Sequence, residues 1–273
     1  MTLSAQEARE YRYAIEGMCH EAGRILMKHF RNLETYEKKG EGDIDLVTIA
    51  DKESEAAVIR AIEQLYPDHA ILAEESGAVG EQSKEYLWII DPLDGTTNFA
   101  HGVRNFAVSI GLYQNGKAIA GGVYAPALAE MYLAARGHGA TRNGERLHVS
   151  DVATLKEALL VTGFPYNRNE VVDWLMATIG SFLTKSQGML RLGAAALDFA
   201  MVAGGHLDGF YEPNLKPWDM AAGALLVEEA GGRMSKLDGS GFDVFADEMV
   251  ASNGLIHDRM VEVIQERPVP KFT

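Results

Sequence analysis

The sequence predicts an α+β fold of two fused subdomains, residues 1–150 and 151–273, on three observations. Residues 106–142 read as an antiparallel meander. Phe106 to Tyr113 and Lys117 to Tyr124 meet at Asn115-Gly116. Glu130 to Arg136 and Gly139 to Arg142 then run into a second Asn-Gly at Asn143-Gly144. Asn-Gly favours the left-handed backbone that tight hairpins need. Past about Ser150 the pattern changes to alternating strands and helices, and no linker is long enough to separate the halves. A cleft between them is therefore the expected place for a site.

The elements follow in order. Ala8, Tyr11, Ala14, Ile15, Met18, Ala22, Ile25 and Leu26 recur at helical spacing, predicting a helix from about Ser4 to Phe30. Ser4 with Glu7 is a capping-box signal at its start. The polar run Glu37-Lys38-Lys39-Gly40-Glu41-Gly42-Asp43 reads as a loop. A second helix is expected from Ile49 to Leu65, ending before Pro67, with strands at 70–74 and 87–91. In the second half, Ala158 to Thr162, Leu207 to Tyr211 and Glu248 to Ala251 read as strands. Glu170 to Leu183, Gly193 to Ala203, Trp218 to Ala230 and a segment from about Gly254 read as helices, the third closed by Gly231-Gly232. Gly137-x-Gly139 starts a dinucleotide-like pattern, but Arg142 stands at its sixth position and strands flank it.

Composition excludes several classes. The chain has 25 basic and 39 acidic residues, a net −14, which disfavours nucleic-acid and anionic-membrane binding. No run approaches the roughly 20 apolar residues of a membrane span. The first residues lack a basic start followed by an apolar stretch, so no secretory signal is expected. One cysteine, Cys19, allows no internal disulfide; it reads as a buried helix residue, and the expected location is cytoplasmic.

The chemistry concentrates where apolar runs end in acids. Leu87 to Ile90 reads as a buried strand that stops at Asp91-Pro92-Leu93-Asp94-Gly95-Thr96. Pro92 fixes φ and Gly95 permits a tight turn, which pins the two carboxylates. Pinned oxygen ligands suit a hard divalent cation. Glu74-Glu75 follows another apolar strand, and Asp51 and Asp219 each fall in the first turn of an expected helix. Taken singly, Asp219, Thr48 and Asp51 also read as ordinary helix-start residues.

Together these segments are similar to the inositol monophosphatase family of magnesium-dependent phosphatases. The resemblance rests on Trp88 to Phe99 (WIIDPLDGTTNF), Trp218 to Gly223 (WDMAAG), Glu74-Glu75-Ser76 and Asp45 to Asp51 (DLVTIAD), and runs from about residue 10 to 260. It implies a layered α-β-α-β-α sandwich, a homodimer, lithium sensitivity and two to three Mg²⁺ ions. Glu74, Asp91 and the Leu93 carbonyl would hold one ion. Asp91, Asp94 and Asp219 would hold the second, with Glu74 helping a weaker third. Thr96 and Asp51 would orient and deprotonate the attacking water, with Thr48 nearby. The Gly95 and Thr96 N–H groups would take phosphate oxygens, while Gly193, Ala194, Ala195, Glu212 and Asp219 would face the substrate. Lys38 or Lys39 matches a loop lysine near the third ion.

The implied reaction is hydrolysis of a phosphomonoester, inositol 1-phosphate or a similar polyol phosphate. Paired cations explain how a chain of net −14 accepts a dianion. The same chemistry on histidinol phosphate or fructose 1,6-bisphosphate, a 3′-phosphoadenosine phosphate nucleotidase, and a transcription-associated binding role are the alternatives.

Overall fold

The computed structural model describes residues 2–32, 37–38, 46–79, 85–165 and 168–269. Helix α1 (Ala5–His29) starts at Ser4, whose Oγ accepts from the Glu7 N–H at 3.2 Å while Glu7 accepts from the Ser4 N–H at 2.8 Å. Two short strands, β1 (Glu37–Lys38) and β2 (Leu46–Val47), pair antiparallel and lead into helix α2 (Ile49–Leu65). Of the polar loop segment, Lys39 to Asp43 lie outside the described residues, as does Asp45. For Lys38 only the backbone is described.

An eight-stranded sheet fills the first half of the chain. Its strands are β3 (Ala70–Ala73), β4 (Gly77–Val79), β5 (Tyr86–Asp94), β6 (Ala107–Gln114), β7 (Lys117–Ala125), β8 (Glu130–Ala135), β9 (Gly139–Arg142) and β10 (Glu145–Arg146), in the order β10-β9-β8-β7-β6-β5-β3-β4. Strand β5 pairs parallel with β3 and antiparallel with β6. The Asn-Gly turns close the β6–β7 and β9–β10 hairpins; Asn115 and Asn143 both adopt positive φ, as do the glycines that follow them. Between β5 and β6 lies the five-residue helix α3 (Thr96–Ala100).

A five-stranded sheet follows: β11 (Leu159–Thr162), β12 (Gly188–Leu190), β13 (Gly209–Pro213), β14 (Arg233–Ser235) and β15 (Glu248–Ser252), in the order β12-β11-β13-β15-β14. Its helices are α4 (Arg168–Lys185), α5 (Ala195–Ala203), α6 (Pro217–Glu229) and α7 (His257–Ile264). At the end of α6, the Gly232 N–H reaches the Val227 carbonyl at 2.9 Å and that of Gly231 the Glu228 carbonyl at 3.1 Å, closing the helix as expected.

Packing orders these elements into five layers. Helices α1 and α2 cover one face of the large sheet, and α5 and α6 lie between the two sheets. Helices α4 and α7 cover the outer face of the small sheet. Among the described residues three apolar cores fill the gaps, and the one between the sheets draws on both halves of the chain. This is the α-β-α-β-α sandwich that the resemblance implies. The middle helices are apolar nearly all round, as a sandwiched helix must be. Among the described residues no helix is long and apolar enough to cross a membrane.

Candidate active site

Strand β5 carries the first acids. The expected strand stops at Asp91; the observed one runs on to Asp94 through an irregularity. Asp91 faces Ser109 of β6, yet Asp94 faces Ala107, so one extra residue is accommodated between them. Residues three apart on a regular strand point to opposite faces; a bulge brings them to the same side. Pro92, which cannot donate to a ladder, sits within the bulge. The Asp91 carboxylate accepts from the Leu93 N–H at 2.9 Å and so stiffens the bulge from inside.

Asp94 reaches across to the middle layer. Its Oδ1 accepts from the Ala195 N–H at 3.1 Å and its Oδ2 from the Ala196 N–H at 2.7 Å, at the start of α5. The Gly193–Ala195 segment is thereby tied to the bulge. Asn98 of α3 tightens the tie, its amide lying 2.7, 2.9 and 3.2 Å from the carbonyls of Asn105, Leu192 and Gly193. Gly95 turns with φ 86°, and a side chain there would press on the Asn105 and Gly193 carbonyls, so glycine is required.

Asp219 comes from the third position of α6, where its Oδ2 accepts from the Lys216 N–H at 2.7 Å. Carboxylate oxygens of Asp91, Asp94 and Asp219 lie within 4.8 Å of one another. Glu74 stands just beyond β3, its N–H bonded to the Ile90 carbonyl at 3.1 Å, and its charge acts on both Asp91 and Asp94.

Beside this cluster runs a chain of hydrogen bonds. Thr48 caps α2, and its N–H and Oγ1–H both donate to Asp51 Oδ2, at 2.8 and 2.5 Å. Thr96 Oγ1 lies 3.3 Å from the other Asp51 oxygen and 3.0 Å from the Leu93 carbonyl. One hydroxyl proton can serve only one of these acceptors at a time. All three side chains are buried.

Glu212 of β13 is buried with its carboxylate against Gly163. Its charge couples to Asp198, Asp219 and Asp94, with Arg191 opposing them. Sequence reasoning did not single out Asp198 or Arg191. A signal existed: Asp198 is a lone acid in the otherwise apolar helix α5, buried, with an oxygen that finds no hydrogen-bond donor among the described residues.

Burial sets the electrostatics. The Asp91 carboxyl is raised well above its usual range, first by desolvation and then by Glu74, Asp94 and Asp219. Desolvation pushes Asp94 up to about 7 despite its backbone hydrogen bonds from α5. Asp51 is pushed up to about 6 by burial, with the Thr48 hydrogen bonds pulling the other way. Glu212 and Asp198 are likewise raised by burial first. Buried like charges are relieved by a shared cation, and an all-oxygen donor set suits a hard divalent ion. The residues present fit Mg²⁺.

Residues 7–268 match the Inositol monophosphatase family. The chain belongs to this family of phosphatases. It is 45% identical over 226 residues to Phosphatase IMPL1, chloroplastic, of Arabidopsis thaliana, a match covering 81% of this chain and 61% of that longer protein. It is 41% identical over 243 residues to the Putative Nus factor SuhB of Neisseria meningitidis, covering 89% of this chain and 93% of the relative. The solved inositol monophosphatase from Anabaena (Nostoc) superposes with a TM-score of 0.87 at 41% identity, over 95% of this chain and 97% of that one. A structure of an IMPase/NADP phosphatase complexed with Mg²⁺ and phosphate superposes at 0.79 with 26% identity, over 89% and 90% of the two chains.

Proposed function

We propose that this protein is a Mg²⁺-dependent phosphomonoesterase acting on inositol 1-phosphate or a similar polyol phosphate. The observation that carries the reading is the meeting of Asp91, Asp94 and Asp219 within 4.8 Å, beside the hydrogen-bonded group Thr48–Asp51–Thr96. Glu74, Asp91, the Leu93 carbonyl, Asp94 and Asp219 would hold two to three ions. Bound there, Mg²⁺ supplies Lewis-acid stabilisation of phosphoryl and leaving-group charge and makes water a better nucleophile.

The chain's own residues do the rest. Thr48 occupies one oxygen of Asp51 with two donors, which leaves the other oxygen turned to Thr96. Asp51 is the base and Thr96 the hydroxyl that relays and orients the attacking water's proton. The N–H groups of Gly95 and Thr96 take phosphate oxygens. Glu212, with the Gly193–Ala195 segment, reads hydroxyls of the leaving alcohol, and Asp198 and Arg191 set the charge around Glu212. Residues 1–150 bring the base and most ligands, residues 151–273 bring Asp219 and the alcohol contacts, and the working form is a homodimer. The meningococcal relative carries the name Putative Nus factor SuhB, but the intact acid cluster favours hydrolysis over a transcription-associated binding role for this chain.

A phosphate-release panel tests the reading, using inositol 1-phosphate, histidinol phosphate, fructose 1,6-bisphosphate and 3′-phosphoadenosine phosphate with Mg²⁺ or with EDTA. The expected result is the highest kcat/KM on inositol 1-phosphate, abolished by EDTA. Full turnover in EDTA overturns the metal assignment, and a preference for another ester overturns the substrate.

A further inference from the structure

Helix α2 meets the site with more than Asp51. Asp51, Ser54 and Glu55 are all buried, and positions i, i+3 and i+4 share one helix face. Each engages a different segment. Asp51 joins Thr48 and Thr96, as described. Ser54 Oγ donates to the Pro92 carbonyl at 3.1 Å, inside the β5 bulge between the two acids. Glu55 takes three donors from the turn after β3. Its Oε2 accepts from the Glu75 N–H at 2.8 Å, and its Oε1 from the Ser76 N–H at 2.9 Å and the Ser76 hydroxyl at 2.5 Å.

The turn held in this way begins at Glu74. On its β5 side Glu74 is anchored by the Ile90 carbonyl; on its α2 side the next two residues are gripped by Glu55. Hydrogen bonds to an ionised carboxylate are about twice as strong as neutral ones, and two oxygens fix direction as well as position. At 2% exposure Glu55 is shielded from competing water. A glutamate serving only the surface of α2 has no need of this arrangement.

We propose that Glu55, assisted by Ser54, is a positioning residue for the metal ligands. Glu55 holds the 74–76 turn so that Glu74 faces Asp91, and Ser54 holds the Pro92 peptide so that Leu93 and Asp94 keep their direction. Neither residue touches substrate or the reacting atoms. One rigid helix face thus sets the base, the bulge and the Glu74 turn in common register. The inference rests on the metal-dependent reading given above.

The test measures Mn²⁺ binding to the substrate-free protein by the electron paramagnetic resonance of free Mn²⁺, alongside thermal unfolding and Mg²⁺-dependent kinetics. Glu55→Gln keeps size and one acceptor but turns an amide donor toward the turn's own donors. Partners that orient metal ligands typically matter by about 10–100-fold in affinity, so the Mn²⁺ dissociation constant should rise by that factor. Ser76→Ala removes only the hydroxyl donor from an exposed residue and should raise it a few-fold. Lost turnover in either variant should return at high Mg²⁺. If Glu55→Gln does not fold, Ser76→Ala and Ser54→Ala carry the same test. Unchanged Mn²⁺ affinity in the folded variants overturns this inference alone. Failure of the unmutated protein to bind Mn²⁺ overturns the metal reading as well.

Discussion

Two helix starts in this molecule make the same local structure and lead to opposite chemistry. At α1, the Ser4 N–H and hydroxyl donate to Glu7 at 2.8 and 2.6 Å. At α2, the Thr48 N–H and hydroxyl donate to Asp51 at 2.8 and 2.5 Å. Glu7 lies in solvent, and its hydrogen bonds hold the carboxyl below its usual value. Asp51 is buried, and desolvation overrides the same hydrogen bonds to push it up to about 6. The local motif fixes the hydrogen bonds, whereas the tertiary environment decides whether the acid is a cap or a base.

The largest expected effect comes from breaking the buried box. Positioned proton transfer is worth about 10²–10⁴-fold, so Asp51→Asn should lower kcat by that factor. Thr96→Ala should match it, and added Mg²⁺ should rescue neither. The double variant should be little worse than either single, because the two act as one unit. Defects that multiply would show separate tasks. Asp51 is ionised above about pH 6, so kcat should fall as pH drops through that value, and this acid limb should vanish in Asp51→Asn.

A third helix start sharpens the contrast. Asp219 also closes a helix N-terminus, yet its carboxylate belongs to the acid cluster. Asp219→Asn keeps an oxygen for the Lys216 N–H but removes the charge. Turnover at ordinary Mg²⁺ should fall about 10-fold or more, with part restored at high Mg²⁺ and the melting temperature nearly unchanged. A lower melting temperature with normal Mg²⁺ dependence would make Asp219 a cap and nothing else.

Much of this was legible in the sequence, for reasons that differ by element. Helix α2 has the expected bounds because Thr48 caps one end and Pro67 follows the other. The meander was readable from its Asn-Gly turns. Strands β4, β12 and β14 were not, since three residues carry no periodicity and exist only by pairing with a neighbour. The short helix α3 has no side-chain cap to announce it, and its start at Gly95-Thr96 was expected only through the family resemblance. Within the site, Asp91 and Asp94 stood out because they end an apolar run at a turn, whereas Asp219 taken alone read as a helix-start acid and joined them through the family resemblance. Glu55 did not: nothing local separates it from its helix neighbour Glu53, which is much more exposed. Roles set by what lies across the fold leave no local pattern.

A smaller effect tests whether burial also sets the charge of a base, His257 of α7. His257 is buried between two hydroxyls, Ser252 and Ser235, each 2.8 Å from a ring nitrogen. Burial pushes its pKa down to about 4, Arg233 adding to the shift and Asp258 opposing it. The unfolded chain therefore takes up this proton first as pH falls. The stability linked to His257 is full above about pH 6.5 and is lost toward pH 4, below which both states are protonated. The loss should be on the order of 1–3 kcal/mol. Urea unfolding from pH 7 to 4 should show a stability slope that His257→Gln reduces. An unchanged slope would place the acid sensitivity elsewhere.

The smallest effect closes the comparison from its exposed side. Ser4→Ala removes the hydroxyl that accepts from the Glu7 N–H and donates to its carboxylate, leaving the backbone of α1 unchanged. Loss of a serine cap typically costs about 1 kcal/mol, which in a chain of this size lowers the melting temperature by about 2–4 °C. Activity should not move, because α1 contributes no side chain to the acid cluster or to the Asp51–Thr96 pair. The equivalent cut at α2, Thr48→Ala, removes the same kind of cap and should cost a similar number of degrees. There, however, Asp51 also loses its shortest donor, and with it one of the bonds that hold its other oxygen toward Thr96. Thr48→Ala should therefore lose turnover where Ser4→Ala does not. Equal melting shifts with equal, unchanged turnover in the two variants would show that burial gives the second box no function beyond capping.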